Sequence, residues 1–211
     1  MAETPTLKIN FGIENEIDRV TNTLKKLPWY RERGYSESFA RLPLNITEGS
    51  TLEDIRSVVT SEFSGQRYKE YKDHVEVEWK KISSEIMKLK EISNFNLNNQ
   101  YSLLLTKYGS GGSYDSRQGL IVSNIEFRSK DEIMGTIIHE LVHIGIQHLI
   151  DKNNVKHWYK ERLVDLMVDK LFPNIKKMQN IKEDISIVDD AFGKFFPNLD
   201  KVTELIGGSK I

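Results

Sequence analysis

Apolar positions along the chain recur in runs that predict mixed strands and helices. Residues 6–12, TLKINFG, read as a short strand, and from Glu14 to Leu27 the apolar Ile17, Val20 and Leu24 fall at three- and four-residue steps, the spacing of one helix face. Pro28 is expected to end that helix, because proline has no N–H to carry the ladder on. Residues 29–49, with Gly34, Pro43 and Gly49, then read as a loop or a set of turns whose aromatics pack on the core. Ser50 and Glu53 stand at the spacing of a capping box, and helical periodicity runs from Thr51 to Ile92, weakened near Gly65, which predicts two helices or one bent one. Tyr71, Val75, Trp79, Ile82 and Ile86 share a face there, so the dense charges of 68–90, with His74 among them, read as a solvated helix surface.

Two β-rich apolar runs follow, YSLLLTKY at 101–108 and QGLIVSNIEF at 118–127, and the GSGGS between them predicts a wide hairpin loop. Ser129 and Glu132 form a second capping-box spacing that opens an apolar helix from Lys130 to about Ile150. A polar turn at 151–156, a helix from His157 to Leu171 and the stop at Pro173 come next. From Ile181 to Ile206 polar and apolar residues alternate, with Ala191, Phe192 and Phe195 expected to pack and Gly207 to end the last helix. Helices at both ends and a few strands before the apolar helix make the expected class α+β.

At 211 residues the chain is long enough for a real core and is expected to form one domain over 1–211, or two lobes divided into 1–156 and 157–211. Hydrophobic residues at 38% and charged residues at 29% exclude a disordered or membrane-embedded class. A net charge of -1 removes the broad attraction that a non-specific nucleic-acid or anionic-membrane binder relies on, so neither partner is expected. With no cysteine, disulfide scaffolds, thiol nucleophiles, iron–sulfur clusters and Cys-type zinc sites are excluded together, and any metal must be held by His, Asp or Glu. The N-terminus has no basic segment followed by an apolar one, and no run approaches the length of a membrane span, which points to the cytoplasm.

Within the apolar helix stands His139-Glu140-Leu141-Val142-His143, an HExxH pattern. Residues four apart on an α-helix lie about 40° apart around the axis, so both imidazoles can face one metal ion, with Glu140 beside the ion's open position. There a carboxylate can take a proton from an activated water and pass it to a leaving group. The bland reading makes both histidines ordinary hydrogen-bonded helix residues, at the cost of burying them and a glutamate. A catalytic zinc needs a third protein ligand, and three residues compete for that place. Glu161 lies on the next helix, KERLVDLMVDK, with Asp165 one turn on and able to orient an imidazole. His148 would make HELVHIGIQH similar to the HExxHxxGxxH of the metzincins, but glycine and histidine each fall one place early, so the helix would have to break at Gly145. His157, at a helix start, is the third.

HELVH followed by a helix carrying Glu161 and Asp165 as ExxxD resembles the gluzincin group of zincin metallopeptidases, the thermolysin-like arrangement. The resemblance covers about residues 101–171. It implies a zincin-like core with a small mixed sheet, an active-site helix and additional terminal helices. It further implies Zn2+ held by His139, His143 and Glu161, Glu140 as general base, Asp165 orienting a histidine, and a peptide or protein substrate. It would also put Gly119 to Phe127 along the cleft as the strand that pairs with extended substrate.

The chain departs from the family downstream, where members often carry a further His or Tyr as oxyanion donor; no His follows 157 and no Tyr follows 159. Tyr114, Arg117, His157, Tyr159 and Arg162 are the candidates for that role. The leading expectation is a zinc-dependent peptidase. Its rivals are a catalytically weak zinc-binding regulatory or peptide-binding protein on the same scaffold, and a metal-free helical domain.

Overall fold

The structure, a computed structural model, describes residues 4–36, 39–175 and 181–208. The expectations at residues 1–3, and the part of the predicted loop at 37–38, lie outside the described residues. Strand β1 (Thr6–Asn10) is followed by helices α1 (Ile13–Glu32), α2 (Leu52–Glu62), α3 (Gly65–Lys81) and α4 (Ser83–Lys88). Strands β2 (Gln100–Thr106), β3 (Gly112–Asp115) and β4 (Leu120–Asn124) then lead into α5 (Lys130–Asn153), α6 (His157–Leu171), α7 (Ser186–Phe195) and α8 (Leu199–Gly207). The class is α+β, as the sequence predicts.

Pro28 does not end α1; the helix runs on to Glu32 with the proline inside it. The backbone bond it forfeits is offset by an aromatic cluster at the helix end, where Tyr30 meets Phe39 at 5.0 Å and Trp29 stacks on Tyr35 at 6.2 Å between ring centres. The capping box of α2 is Thr51 with Asp54, one residue later than expected, because the Ser50 hydroxyl accepts instead from the Thr47 N–H at 2.9 Å. The Ser129–Glu132 box at the start of α5 forms as predicted.

The four strands form one mixed sheet in the order β1-β2-β4-β3, with β1, β2 and β4 parallel and β3 antiparallel at the edge. The predicted hairpin between 101–108 and 118–127 is therefore replaced by a parallel pair, and the hairpin that exists joins β3 to β4. Burial explains the exchange. LIVSN of β4 is enclosed almost throughout and belongs in the sheet interior, whereas the small and polar GSYD of β3 is only half-buried and suits an edge. Gly119, at φ +60°, and the Asp115 carboxylate, which accepts from the Arg117 N–H at 2.9 Å, make the connecting turn.

α5 is buried on all sides from Ile133 to Ile146 and packs against β3, β4, α3, α6 and α8. α5 departs from the expectation that no run approaches a membrane span: among the described residues it is the one helix long and apolar enough to cross a membrane, and most of that apolar stretch is buried inside the protein. One apolar cluster extends from Tyr68 and Trp79 on α3 through α5 to Leu199 and Val202 on α8; a second, smaller one joins α1, α2 and Tyr108.

Candidate metal centre

The four-residue spacing on α5 puts His139 and His143 on one face, with their Nε2 atoms 3.0 Å apart. A tight turn supplies the third group. Asn154 takes the left-handed conformation at φ 50°, which asparagine tolerates, and α6 folds back against α5 after three residues. Glu161 Oε2 then lies 3.3 Å from His139 Nε2 and 3.2 Å from His143 Nε2. All three side chains are buried. One turn further along α6, Asp165 Oδ1 stands 3.3 Å from His139 Nδ1.

This arrangement fits a metal ion on its own chemistry. A buried carboxylate at His139 Nδ1 calls for the N–H on that nitrogen, which leaves Nε2 a bare lone pair aimed at His143 and Glu161. His139 Nε2 and the Glu161 carboxylate are then two acceptors held side by side in a buried place, which a cation between them would satisfy. Tetrahedral ligands bonded at about 2.0–2.1 Å stand roughly 3.3–3.4 Å apart, and the three contacts here measure 3.0, 3.2 and 3.3 Å. Burial pushes His143 down to about 3, so it stays neutral and ligand-competent. For Glu161, burial would raise the carboxyl, but the groups around it, His143, His139 and Lys160, outweigh burial and hold it below the usual carboxylate range. His143 is also clamped from outside, its ring stacked on Tyr114 at 4.8 Å and 9°.

Glu140, the residue between the two histidines, turns toward β3. A Cβ on Gly112 would stand 2.4 Å from Glu140 Oε1 and 2.6 Å from Thr136 Cγ2, so the carboxylate occupies space that only glycine leaves open. The β2–β3 loop is held in place by Arg19 of α1, which donates to Tyr108 O at 3.3 Å, Ser110 Oγ at 3.2 Å and Ser113 Oγ at 3.3 Å. Burial lowers the Arg19 pKa, while the charges of Tyr30, Glu16 and Glu140 act in the opposite sense. Glu140, His139, His143 and Glu161 all open onto a cleft of about 730 Å³ between β3 and the end of α1, a size suited to a small ligand or a few peptide residues.

Residues 119–127 do not line this cleft. β4 lies inside the sheet, and β3 takes the edge position beside Glu140. Asn124 N donates to Gly111 O, and the alternation of an antiparallel pair then points the backbone N–H and C=O of Gly112 and Tyr114 away from β4.

Of the competing third ligands, Glu161 joins the two motif histidines. α5 does not break at Gly145, whose missing side chain makes room for the Phe95 ring and whose carbonyl accepts from Asn96 N at 3.0 Å. His148 lies outside the cluster, 3.2 Å from Asn96 Nδ2. His157 lines the cleft, with Nε2 2.8 Å from the Tyr35 hydroxyl and Nδ1 3.9 Å from Glu161 Oε1, outside the ligand triangle.

Tyr114, which accepts from Lys160 Nζ at 3.2 Å, also lines the cleft. Arg117 borders a different hollow, Arg162 is paired with Asp189 at 2.7 Å, and Tyr159 packs on the apolar core under Lys156. Arg19, Tyr35 and Gly112 carry no motif that singles them out in the sequence, apart from Gly112 belonging to a glycine-rich loop. No known protein family, curated protein or solved structure matches this chain.

Proposed function

We propose that the chain is a zinc-dependent peptidase of the gluzincin type, built on a zincin-like core. The observation that carries this reading is the buried His139–His143–Glu161 triangle, with Asp165 behind His139 and Glu140 turned toward the sheet edge in the same cleft. His139, His143 and Glu161 would hold Zn2+. Bound there, zinc supplies Lewis acidity toward water and toward a peptide carbonyl. Glu140 accepts the proton of the attacking water at its carboxylate and delivers it to the departing amine nitrogen, the two transfers that amide hydrolysis needs. Asp165 keeps the His139 ring in one tautomer and orientation. The outward backbone groups of Tyr114 and the Gly112 N–H, beside a Gly112 carbonyl that already accepts from Ser110 Oγ at 3.0 Å, support an extended peptide pairing along β3, which would set its scissile bond beside Glu140.

The test is zinc stoichiometry of the native protein and of Glu161→Ala, His148→Ala and Glu140→Gln variants, with cleavage of a mixed peptide library. The proposal expects one zinc per chain, lost in Glu161→Ala and retained in His148→Ala. It expects cleavage that disappears in Glu140→Gln while zinc remains. Zinc without any cleavage would move the protein to a zinc-binding regulatory or peptide-binding role. No zinc after reconstitution would refute both.

A further inference from the structure

The cleft walls away from the metal centre carry a charge pattern that the peptidase reading does not use. Four cationic side chains line the cleft, Lys25 and Lys26 on α1, Arg128 before α5 and Lys160 on α6, against two carboxylates, Glu140 and Glu161. Both carboxylates belong to the metal centre. Lys160 is matched, 3.3 Å from Glu161 Oε1. Lys25, Lys26 and Arg128 enter none of the ion pairs among the described residues.

Elsewhere many cations find a carboxylate: Arg31 with Glu48, Lys107 with Glu62, Lys130 with Glu70, Arg162 with Asp189. In a chain of net charge -1, the cleft that holds the metal-ligand cluster is thus lined by more cations than carboxylates, and both of its carboxylates are engaged at that cluster. Arg128 is fixed there. Its Nε donates to Thr136 Oγ1 at 3.0 Å, one helical turn before Glu140, and a Cβ on Gly111 would lie 3.2 Å from its guanidinium. Beside the α1 lysines the cleft wall is aromatic, with Trp29 exposed and Tyr35 and Phe39 packed at 4.1 Å.

We infer that the cleft selects peptides carrying a carboxylate next to a large apolar or aromatic residue. Lys25, Lys26 and Arg128 would meet the carboxylate, and the aromatic wall would take the apolar side chain. This inference rests on the peptidase reading only for the word peptide. The recognition chemistry is an anion beside an apolar group on an extended backbone. The carboxylate has two possible sources, an Asp or Glu side chain or the peptide's own C-terminus. A single-stranded nucleic acid would also meet cations and rings, but the outward groups of β3 lie at the repeat of an extended peptide backbone, which favours a peptide.

The experiment measures binding by calorimetry to the zinc-loaded Glu140→Gln protein, alongside cleavage by the native one. Peptides of one sequence around a central Phe carry Glu, Gln or Lys beside it, each with free and amidated C-termini, and a single-stranded oligonucleotide is the competitor. At low salt a close charge pair is worth about fivefold. The Glu or free-acid peptide should therefore bind at least fivefold tighter than its Lys or amide counterpart, and the gap should shrink as salt rises. Loss of preference on amidation assigns the carboxylate to the C-terminus, and loss on Glu→Gln assigns it to a side chain; either supports the inference.

A Lys25→Glu/Lys26→Glu double variant, its fold checked by circular dichroism, should lower the ratio of acidic to basic peptide affinity by about tenfold or more. Equal affinity for all peptides, an unchanged ratio in the double variant, or tighter binding of the oligonucleotide would overturn the inference. Preferential binding without cleavage would refute the peptidase reading and leave this one standing.

Discussion

Gly112→Ala is the sharpest single test of how this centre is built. Gly112 is not among the residues at positive φ, so alanine meets no backbone penalty and the perturbation is purely steric. The added Cβ would stand 2.4 Å from Glu140 Oε1 and 2.6 Å from Thr136 Cγ2, where ordinary contact begins at 3.4 Å. The carboxylate must therefore retreat by about 1 Å, a misplacement that costs on the order of 100-fold in rate for a group acting in the transition state. Thr136 sits on the buried face of α5 and cannot give way freely, so overpacking should also cost about 1–3 kcal/mol of stability. The His139–His143–Glu161 triangle is untouched, so on the proposed function zinc stoichiometry should stay at the native level.

Gly193→Ala is the control, because its Cβ would meet nothing within 4 Å. The assay is kcat on the best library peptide, with metal content and thermal unfolding measured on the same samples. A Gly112→Ala protein with native kcat would refute the argument that Glu140 acts from the position it occupies against β3. Loss of zinc would show that the edge strand holds the ligands and not only the base.

Four further outcomes are expected. Asp165→Asn should weaken zinc affinity about 10- to 100-fold through the loosened His139 ring, read by chelator competition with the fold intact. Chelation should lower the melting temperature: an ion present at 1,000 times its dissociation constant stabilises by about 4.1 kcal/mol, worth roughly 8–16 °C for a chain of this size. Gly145→Ala should destabilise, because displacing the Phe95 ring, 2.1 Å from the new Cβ, costs about 1–3 kcal/mol and exceeds the roughly 1 kcal/mol gained in helix propensity; chemical denaturation measures the balance. Burial would raise the Glu62 carboxyl, but Lys107 at 2.7 Å and Tyr108 at 2.9 Å hold it below its usual value. Its stabilisation is therefore complete above the unfolded value, near 4.5, and lost as pH falls through the lower folded one. In chelator, Glu62→Gln should flatten that part of the acid limb relative to the native protein.

The parts of this fold that could be read from the sequence are those fixed by contacts within about one helical turn. His139 and His143 are four apart on a helix whose capping box is local, and Glu161 and Asp165 repeat the same spacing on the next helix, so four side chains of one centre follow from periodicity and one short turn. The sheet was less legible because strand order depends on contacts far apart in sequence. β2 and β4 look like the arms of a hairpin until the half-buried GSYD takes the edge and forces them parallel. Pro28 misleads for a related reason: Phe39 and Tyr35, several residues on, hold the helix end that local rules would have stopped. Arg19, Gly112 and the cleft cations belong to the site through tertiary placement alone, and no spacing rule finds them.

α5 itself explains why the centre and the core cannot be separated. A helix apolar on every side could be rotated about its axis with little change in buried area, since Ile and Leu face all its neighbours. His139, Glu140 and His143 remove that freedom, because only one rotation lets two imidazoles meet Glu161 while the intervening carboxylate meets Gly112. The same groups are costly to bury, and well-packed apolar residues in their place would be at least as stabilising. Their presence is thus poorly explained by stability and well explained by a ligand that neutralises them. The left-handed Asn154 turn, the Phe95 ring seated on Gly145 and the Arg19 clamp on the β2–β3 loop each fix one side of that rotation. His139, Glu140, His143 and Glu161 are all buried, and all four face the cleft.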